Sequence, residues 1–180
     1  MLEVEVKAHI SDFKEVKSRL KQIGAHKLKE EQQEDIYFNA PHRDFAQTDE
    51  ALRIRKIPHK DGSKIILTYK GAKLDDKSKT RKEIEVDVGD VDKTASILEN
   101  LGFIQVRNVK KDRMIYLLDK FIISLDQVYD VGNFVEIEIE LNEGEEFQKS
   151  LDEIFRIYQK LGIRNGFERR SYLELLELCE

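Results

Sequence analysis

Apolar and polar residues alternate strictly over the first seven positions. Leu2, Val4 and Val6 share one face of an extended segment, and Glu3, Glu5 and Lys7 share the other. The same two-residue period returns along the chain. Residues 51–57 set Leu52 and Ile54 against Arg53 and Arg55, and 64–70 set Ile65, Leu67 and Tyr69 against Lys64, Ile66, Thr68 and Lys70. Residues 80–88 set Lys82, Ile84, Val86 and Val88 against Arg81, Glu83, Glu85 and Asp87. Residues 133–141 set Val135, Ile137, Ile139 and Leu141 against Glu136, Glu138 and Glu140. Segments 26–38, 103–118 and 121–128 complete the predicted strands; 103–118 has the length of one long strand or a bent pair. Turn signals at 60–63 and 119–120 join neighbours as hairpins.

Helical spacing interrupts this pattern in four places. Phe13, Val16, Leu20 and Ile23 form a stripe that opens at Ser11 or Asp12, with Glu15 placed for a capping box, and stops at Gly24. Val91, Ala95, Leu98 and Leu101 mark a helix over 90–101 that Gly102 ends. Phe147, Leu151, Ile154, Ile157, Tyr158 and Leu161 mark one over 145–161, and 171–177 read as a short closing helix. Residues 39–50 and 71–79 are polar and read as loops, the first long enough for a flap. No linker or low-complexity stretch divides the chain, which predicts one domain over 1–180.

Composition narrows the class. The chain is 40% hydrophobic and 37% charged, which excludes collagen-like and most disordered proteins. Basic residues number 31 and acidic ones 36, and the net charge of −5 argues against nucleic acid as a partner. No apolar run approaches the ~18 residues of a membrane span. The chain opens in a strand pattern without a signal-peptide core, and Cys179 has no second cysteine to pair with. The expectation is a cytoplasmic protein. There is no Walker-type phosphate loop and no dinucleotide fingerprint, and His9, His26, His42 and His59 lack zinc spacing.

The charged strand faces carry the remaining information. A flat sheet with one solvated face accounts for them. So does a closed barrel that points them inward and turns its apolar faces out under the helices. Arg53, Arg55, Lys70, Arg81, Lys111 and Arg113 would repel one another unless carboxylates or a polyanion compensated them. Guanidinium groups suit bidentate phosphate contacts, and carboxylate pairs such as Glu3/Glu5 and Glu136/Glu138 suit Mg²⁺ or Mn²⁺. Lys110 reads as solvated, and Arg169 and Arg170 read as surface positions.

These segments, taken in order, resemble the CYTH superfamily of triphosphate tunnel enzymes. Glu3-Val4-Glu5-Val6-Lys7 resembles its ExExK signature, Leu52-Arg53-Ile54-Arg55 its arginine strand, and Thr68-Tyr69-Lys70 its lysine strand. Arg81-Lys82-Glu83-Ile84-Glu85 and Lys111-Asp112-Arg113 are similar to its R-x-E-x-E and K-x-R strands. Leu125-Asp126, Phe134 to Glu138, and Ser171 to Leu176 are similar to its closing segments.

The resemblance implies an α+β fold: a closed eight-stranded antiparallel β-barrel, a triphosphate tunnel, with helices packed outside. It implies that Glu3, Glu5, Glu136 and Glu138 hold Mg²⁺ or Mn²⁺, with Glu83 and Glu85 as tunnel lining or a further metal position. It assigns substrate binding to Arg53, Arg55, Lys70 and Arg81, and catalytic roles to Lys7, Lys111, Arg113 and Asp126. The implied partner is a triphosphate: ATP, inorganic triphosphate or thiamine triphosphate, acted on by a monomer or homodimer with no membrane or nucleic-acid partner. Class IV adenylyl cyclase-like activity comes first, triphosphatase activity second, and a non-catalytic nucleotide or polyphosphate binder third. Some cyclase members carry a His-Phe pair ahead of ExExK; the two residues before Glu3 do not, which weighs against cyclisation.

Overall fold

The computed structural model describes residues 1–179. Its strands are β1 (Leu2–Ile10), β2 (His26–Asn39), β3 (Ala51–His59), β4 (Gly62–Lys70), β5 (Arg81–Val88), β6 (Ile104–Leu118), β7 (Phe121–Val128) and β8 (Gly132–Leu141). Its helices are α1 (Lys14–Gln22), α2 (Phe45–Thr48), α3 (Val91–Asn100), α4 (Gln148–Lys160) and α5 (Tyr172–Leu178). The strands close a barrel in the order β1-β5-β4-β3-β2-β6-β7-β8. Every neighbouring pair is antiparallel. Of the two architectures that alternation allowed, the closed one is present. Within segment 103–118, Ile104–Leu118 form one strand, whose register against β2 shifts between Lys27 and Lys29 and between Tyr37 and Phe38.

Because side chains alternate across a strand, closing the sheet sends one face of every strand inward. The apolar faces of β1, β7 and β8 turn outward. Val4, Val6, Ile123, Leu125, Val135 and Ile137 pack there against Leu20 of α1 and Leu151, Ile154 and Tyr158 of α4. A second cluster joins Ile54 and Ile65 to Leu98 of α3 and Phe45 of α2. A third plugs one end of the barrel, where Tyr172 and Leu175 of α5 meet Tyr37, Val109, Val128 and Phe134. The outer face of β5 has no such cover: Ile84 and Val86 are 53% and 54% exposed.

One side of β1 is closed in three pieces. β1 pairs with β8 from Leu2 to Ile10, but with β5 only at Leu2 and Glu3. Further along, the Lys79 amide donates to the Glu5 carbonyl at 2.8 Å. The Glu168 amide then donates to the Lys7 carbonyl, and the His9 amide to the Gly166 carbonyl, each at 2.9 Å. The wall therefore depends on the 71–80 segment and on residues 166–168.

Helix starts differ from the sequence expectation where a competing local bond exists. The Asp12–Glu15 capping box does not form. Phe13 occupies the cap of α1 without a side-chain bond, Asp12 accepts from the Lys14 amide at 2.7 Å, and Glu15 instead binds Arg19 one turn on. Leu101 lies outside its expected stripe and is 66% exposed. Segment 39–50 contains α2 rather than loop alone. Asn39 accepts from the Phe45 amide at 2.8 Å, Asp44 caps the turn, and Asp49 ends it in the left-handed region at φ 55°.

Candidate functional site

The inward faces assemble a charged cavity. It is lined by Glu3 and Glu5 of β1, Arg53 and Arg55 of β3, Lys70 of β4, Arg81, Glu83 and Glu85 of β5, Lys111 and Arg113 of β6, and Glu136 and Glu138 of β8. All sequence candidates except Lys7 and Asp126 therefore meet on one space. Strand order gives it polarity. β1 and β8 are neighbours and supply an acidic wall, while β3 lies across the ring from them and supplies Arg53 and Arg55.

On the acidic wall, one carboxylate oxygen from each of Glu3, Glu5 and Glu138 lies within 4.8 Å of the others. Burial raises the pKa of all three above the ordinary carboxylate value. For Glu138, burial and the neighbouring Glu3 push it up to about 8. Glu3 is met by the Lys70 ammonium at 2.7 Å and Glu5 by the Lys79 ammonium at 2.6 Å. Glu138 has no hydrogen bond or ion pair among the described residues. Three clustered carboxylates offer oxygen ligands only, which fits a hard divalent cation such as Mg²⁺ or Mn²⁺. Glu136, read from sequence as a fourth ligand, stands apart. It is bonded to Arg113 and lies 3.6 Å from Lys79; burial opposes its charge, but Lys79 and Arg113 hold its pKa well below the carboxylate range.

The basic wall is built on carboxylates behind it. Asp35 of β2 accepts from Arg55 Nε at 2.6 Å and Nη2 at 2.7 Å, and from Arg53 at 3.4 Å. Burial opposes its charge, but the two guanidinium groups hold its pKa far below the usual range. Asp126 of β7 plays the same part for Arg113, which grips it with Nε and Nη2, and it also accepts from the Tyr172 hydroxyl at 2.8 Å. It is fully buried and does not line the cavity. Lys111 lies 3.4 Å from Asp126, and burial and Arg113 lower its pKa to about 8. Lys7 also stands outside the lining. Its ammonium sits over the Tyr172 ring at 4.1 Å and donates to the Arg170 carbonyl, and burial and Lys79 lower its pKa to about 7.

Arg81 is held less firmly than its neighbours, by one bond to the Gly71 carbonyl at 3.3 Å. Glu83 pairs with Lys70 at 2.7 Å, and Glu85 accepts from Thr68 at 2.9 Å. Arg169 and Arg170 do not enter the cavity. Arg169 donates to the Ser78 and Asp75 carbonyls, fastening the 71–80 segment to the C-terminal one, and Arg170 binds Glu168. A groove opens beside the cavity and shares Tyr37, Ala51, Arg81 and Ser171 with it; Phe45, Leu173 and Val106 add apolar walls.

Several lining or supporting residues escaped the sequence reading. Asp35 could have been found by continuing the alternation Gln33, Asp35, Tyr37 back along β2. Glu140 was visible on the acidic face of its strand and lines the cavity. Tyr172 lies in the closing segment and lines the cavity, but nothing in its spacing places it in the wall. Lys79 lies in a segment without periodicity, so no sequence signal pointed to it.

A family profile described as "CYTH domain" matches residues 1–172. "Putative adenylate cyclase MJ0240" of Methanocaldococcus jannaschii is 44% identical over 97% of this chain and 98% of its own length. "Adenylate cyclase CyaB" of Aeromonas hydrophila is 30% identical over 97% of this chain and 88% of its own. Among solved structures, the PH1819 protein of Pyrococcus horikoshii superposes with a TM-score of 0.91 at 42% identity, covering 99% of both chains.

Proposed function

The chain belongs to the CYTH family, and from that we propose that it is a metal-dependent enzyme acting on a triphosphate in its barrel, first as a class IV adenylyl cyclase-like enzyme that converts ATP to cyclic AMP and pyrophosphate. The observation that carries this reading is the division of the cavity into an acidic wall, Glu3, Glu5 and Glu138, and a basic wall, Arg53, Arg55, Lys111 and Arg113. A passive anion site gains nothing from buried carboxylates beside its cations, whereas a site for a metal–triphosphate complex needs both.

Glu3, Glu5 and Glu138 would hold Mg²⁺ or Mn²⁺. Bound there, the metal supplies charge neutralisation to phosphate oxygens. Arg55 and Arg113 line the cavity and are locked by Asp35 and Asp126, so they meet phosphate without reorganising. In cyclisation the ribose 3′-hydroxyl oxygen bonds to the α-phosphorus, the bond to the bridging oxygen breaks, and pyrophosphate departs. The hydroxyl proton needs an acceptor: Lys111, which lines the cavity 3.4 Å from Asp126, would serve only in its neutral form, with Arg53, Arg55 and Arg113 left to carry the charge of the basic wall. The apolar groove beside Arg81 supports an organic triphosphate over an inorganic one, because a base or ring can leave the water there. Hydrolysis of the terminal phosphate of inorganic or thiamine triphosphate is the second reading. It is favoured by the firm anchoring of the phosphate-facing cations whatever organic group is attached.

The test is product analysis with ATP, inorganic triphosphate and thiamine triphosphate, each with Mg²⁺, Mn²⁺ or chelator. Cyclic AMP with pyrophosphate supports the cyclase, and orthophosphate without cyclic product supports the triphosphatase. Folded but inert protein on all three sinks the enzymatic reading. Glu5→Gln and Glu138→Gln are each expected to lower metal-dependent turnover at least ~100-fold while unfolding cooperatively; wild-type turnover in either refutes the ligand assignment.

A further inference from the structure

Lys79 is the tunnel cation that does not come from a strand. It follows Ser78 at the end of the 71–80 segment, yet it is 8% exposed and its ammonium lies among the carboxylates, 2.6 Å from Glu5 and 3.6 Å from Glu136. The backbone holds it there. Its amide donates to the Glu5 carbonyl at 2.8 Å, and Arg169 fixes the preceding turn through the Ser78 and Asp75 carbonyls at 3.2 and 2.6 Å. The tether fixes the main chain and leaves a four-carbon stem free to swing.

We infer that Lys79 is a resident counter-ion for the acidic wall, competing with the divalent cation for Glu5 and passing to the substrate's phosphate once the cation is bound. The inference rests on the metal assignment of the proposed function and adds an order of events to it. An ammonium on Glu5 cancels one negative charge of the cluster, so a divalent ion arriving alone must displace it against direct attraction. When a triphosphate is present, the displaced ammonium finds a new anion within the same cavity. The cost of displacement is then offset, and metal and substrate favour each other. Lys70, which meets Glu3 at 2.7 Å, cannot do this as freely, because its second carboxylate, Glu83 at 2.7 Å, holds it to its own side.

The geometry gives opposite expectations for the two ligands. In Lys79→Met, which keeps length and removes charge, Mn²⁺ binding without substrate is expected to tighten at least tenfold, read from the paramagnetic resonance of free Mn²⁺. Binding of inorganic triphosphate at saturating Mg²⁺, read by calorimetry, is expected to weaken at least fivefold. Lys79→Arg, which retains the charge, should bind Mn²⁺ within twofold of wild type. In the unmutated protein, the lysine Cε carbon-13 signal of Lys79, assigned by its absence in Lys79→Arg, should move on Mg²⁺ addition, which tests the exchange even if Lys79→Met does not fold. Mn²⁺ affinity unchanged or weaker in a folded Lys79→Met protein, with Mn²⁺ still bound by wild type, overturns the inference and leaves the metal assignment standing. No Mn²⁺ binding by any of the three proteins overturns the metal assignment and this inference together.

Discussion

Asp35 shows how a single carboxylate sets the chemistry of residues it never joins in the cavity. It holds Arg53 and Arg55 by charge-assisted bonds while buried from solvent. Breaking such a pair leaves the buried Arg55 guanidinium uncompensated, while Arg53 keeps Glu85 at 3.7 Å and Glu83 at 3.9 Å. Asp35→Asn is therefore expected to lose about 3 kcal/mol in urea unfolding, with part of the loss recovered on adding inorganic triphosphate. Glu168 gives a separate test, in pH. Burial opposes its charge, but Arg170 and His9 lower its pKa to about 2 from 4.5. Its folded-state value is depressed, so its contribution is complete above about pH 4.5 and is lost as pH falls toward 2. Glu168→Gln should flatten the loss of stability in that window, as followed by thermal melts across pH. At this scale the strand-borne cations and carboxylates were legible because alternation assigns each a face. Asp126 and Lys7 shared the correct faces yet lie behind Arg113 and Tyr172, since alternation gives direction but not depth.

Among the elements, α4 shows how the outer layer secures the inner one. Tyr158 is fully buried, and its hydroxyl reaches the carbonyls of Val6 at 2.7 Å and Val135 at 2.9 Å, on the two strands that carry the acidic wall. Tyr158→Phe keeps the packing and leaves those contacts unmade. It is expected to cost about 1–2 kcal/mol in chemical denaturation, with faster amide exchange in β1 and β8. The elements themselves were readable wherever a period lasted long enough, as in β1, β4, β8 and α4. They were not readable where short-range bonds decide, as at α2, built by Asn39 and Asp44, or at the start of α1. The closing helix was foreseeable from Ser171 and Glu174. They form a capping box, with the Glu174 amide donating to Ser171 Oγ at 3.1 Å and the Ser171 amide to Glu174 Oε2 at 2.6 Å.

For the whole molecule, closure was the property that residue pattern alone left open, because a solvated sheet and a barrel share the same alternation. It is decided by pairing between β1 and β8, segments at opposite parts of the chain, which carries no local signal. The uncovered outer face of β5 escaped for the related reason that alternation does not say which apolar faces a helix reaches. If the opposed walls hold a metal–triphosphate complex as proposed, the fold should respond to that ligand. Mg²⁺ with a non-hydrolysable ATP analogue is expected to raise the melting temperature by several degrees, and either alone by less; equal shifts from each alone would contradict the paired-ligand reading.

The three-piece closure of β1 sets an order on the molecule's making. Of the eight strands β1 is made earliest, and its edge beyond Glu5 stays unfilled until residues 166–168 are synthesised and reach Lys7 and His9, while its other edge waits only for β8. Until then the nascent chain holds an exposed strand edge beside a half-built charged interior, a state that invites pairing with other chains. Arrest that leaves residues 1–160 outside the ribosome should therefore yield a protease-sensitive, chaperone-held intermediate, and protection should arrive abruptly once residues 166–168 have also cleared the exit tunnel. The residues that wall in the site are thus also needed to license it.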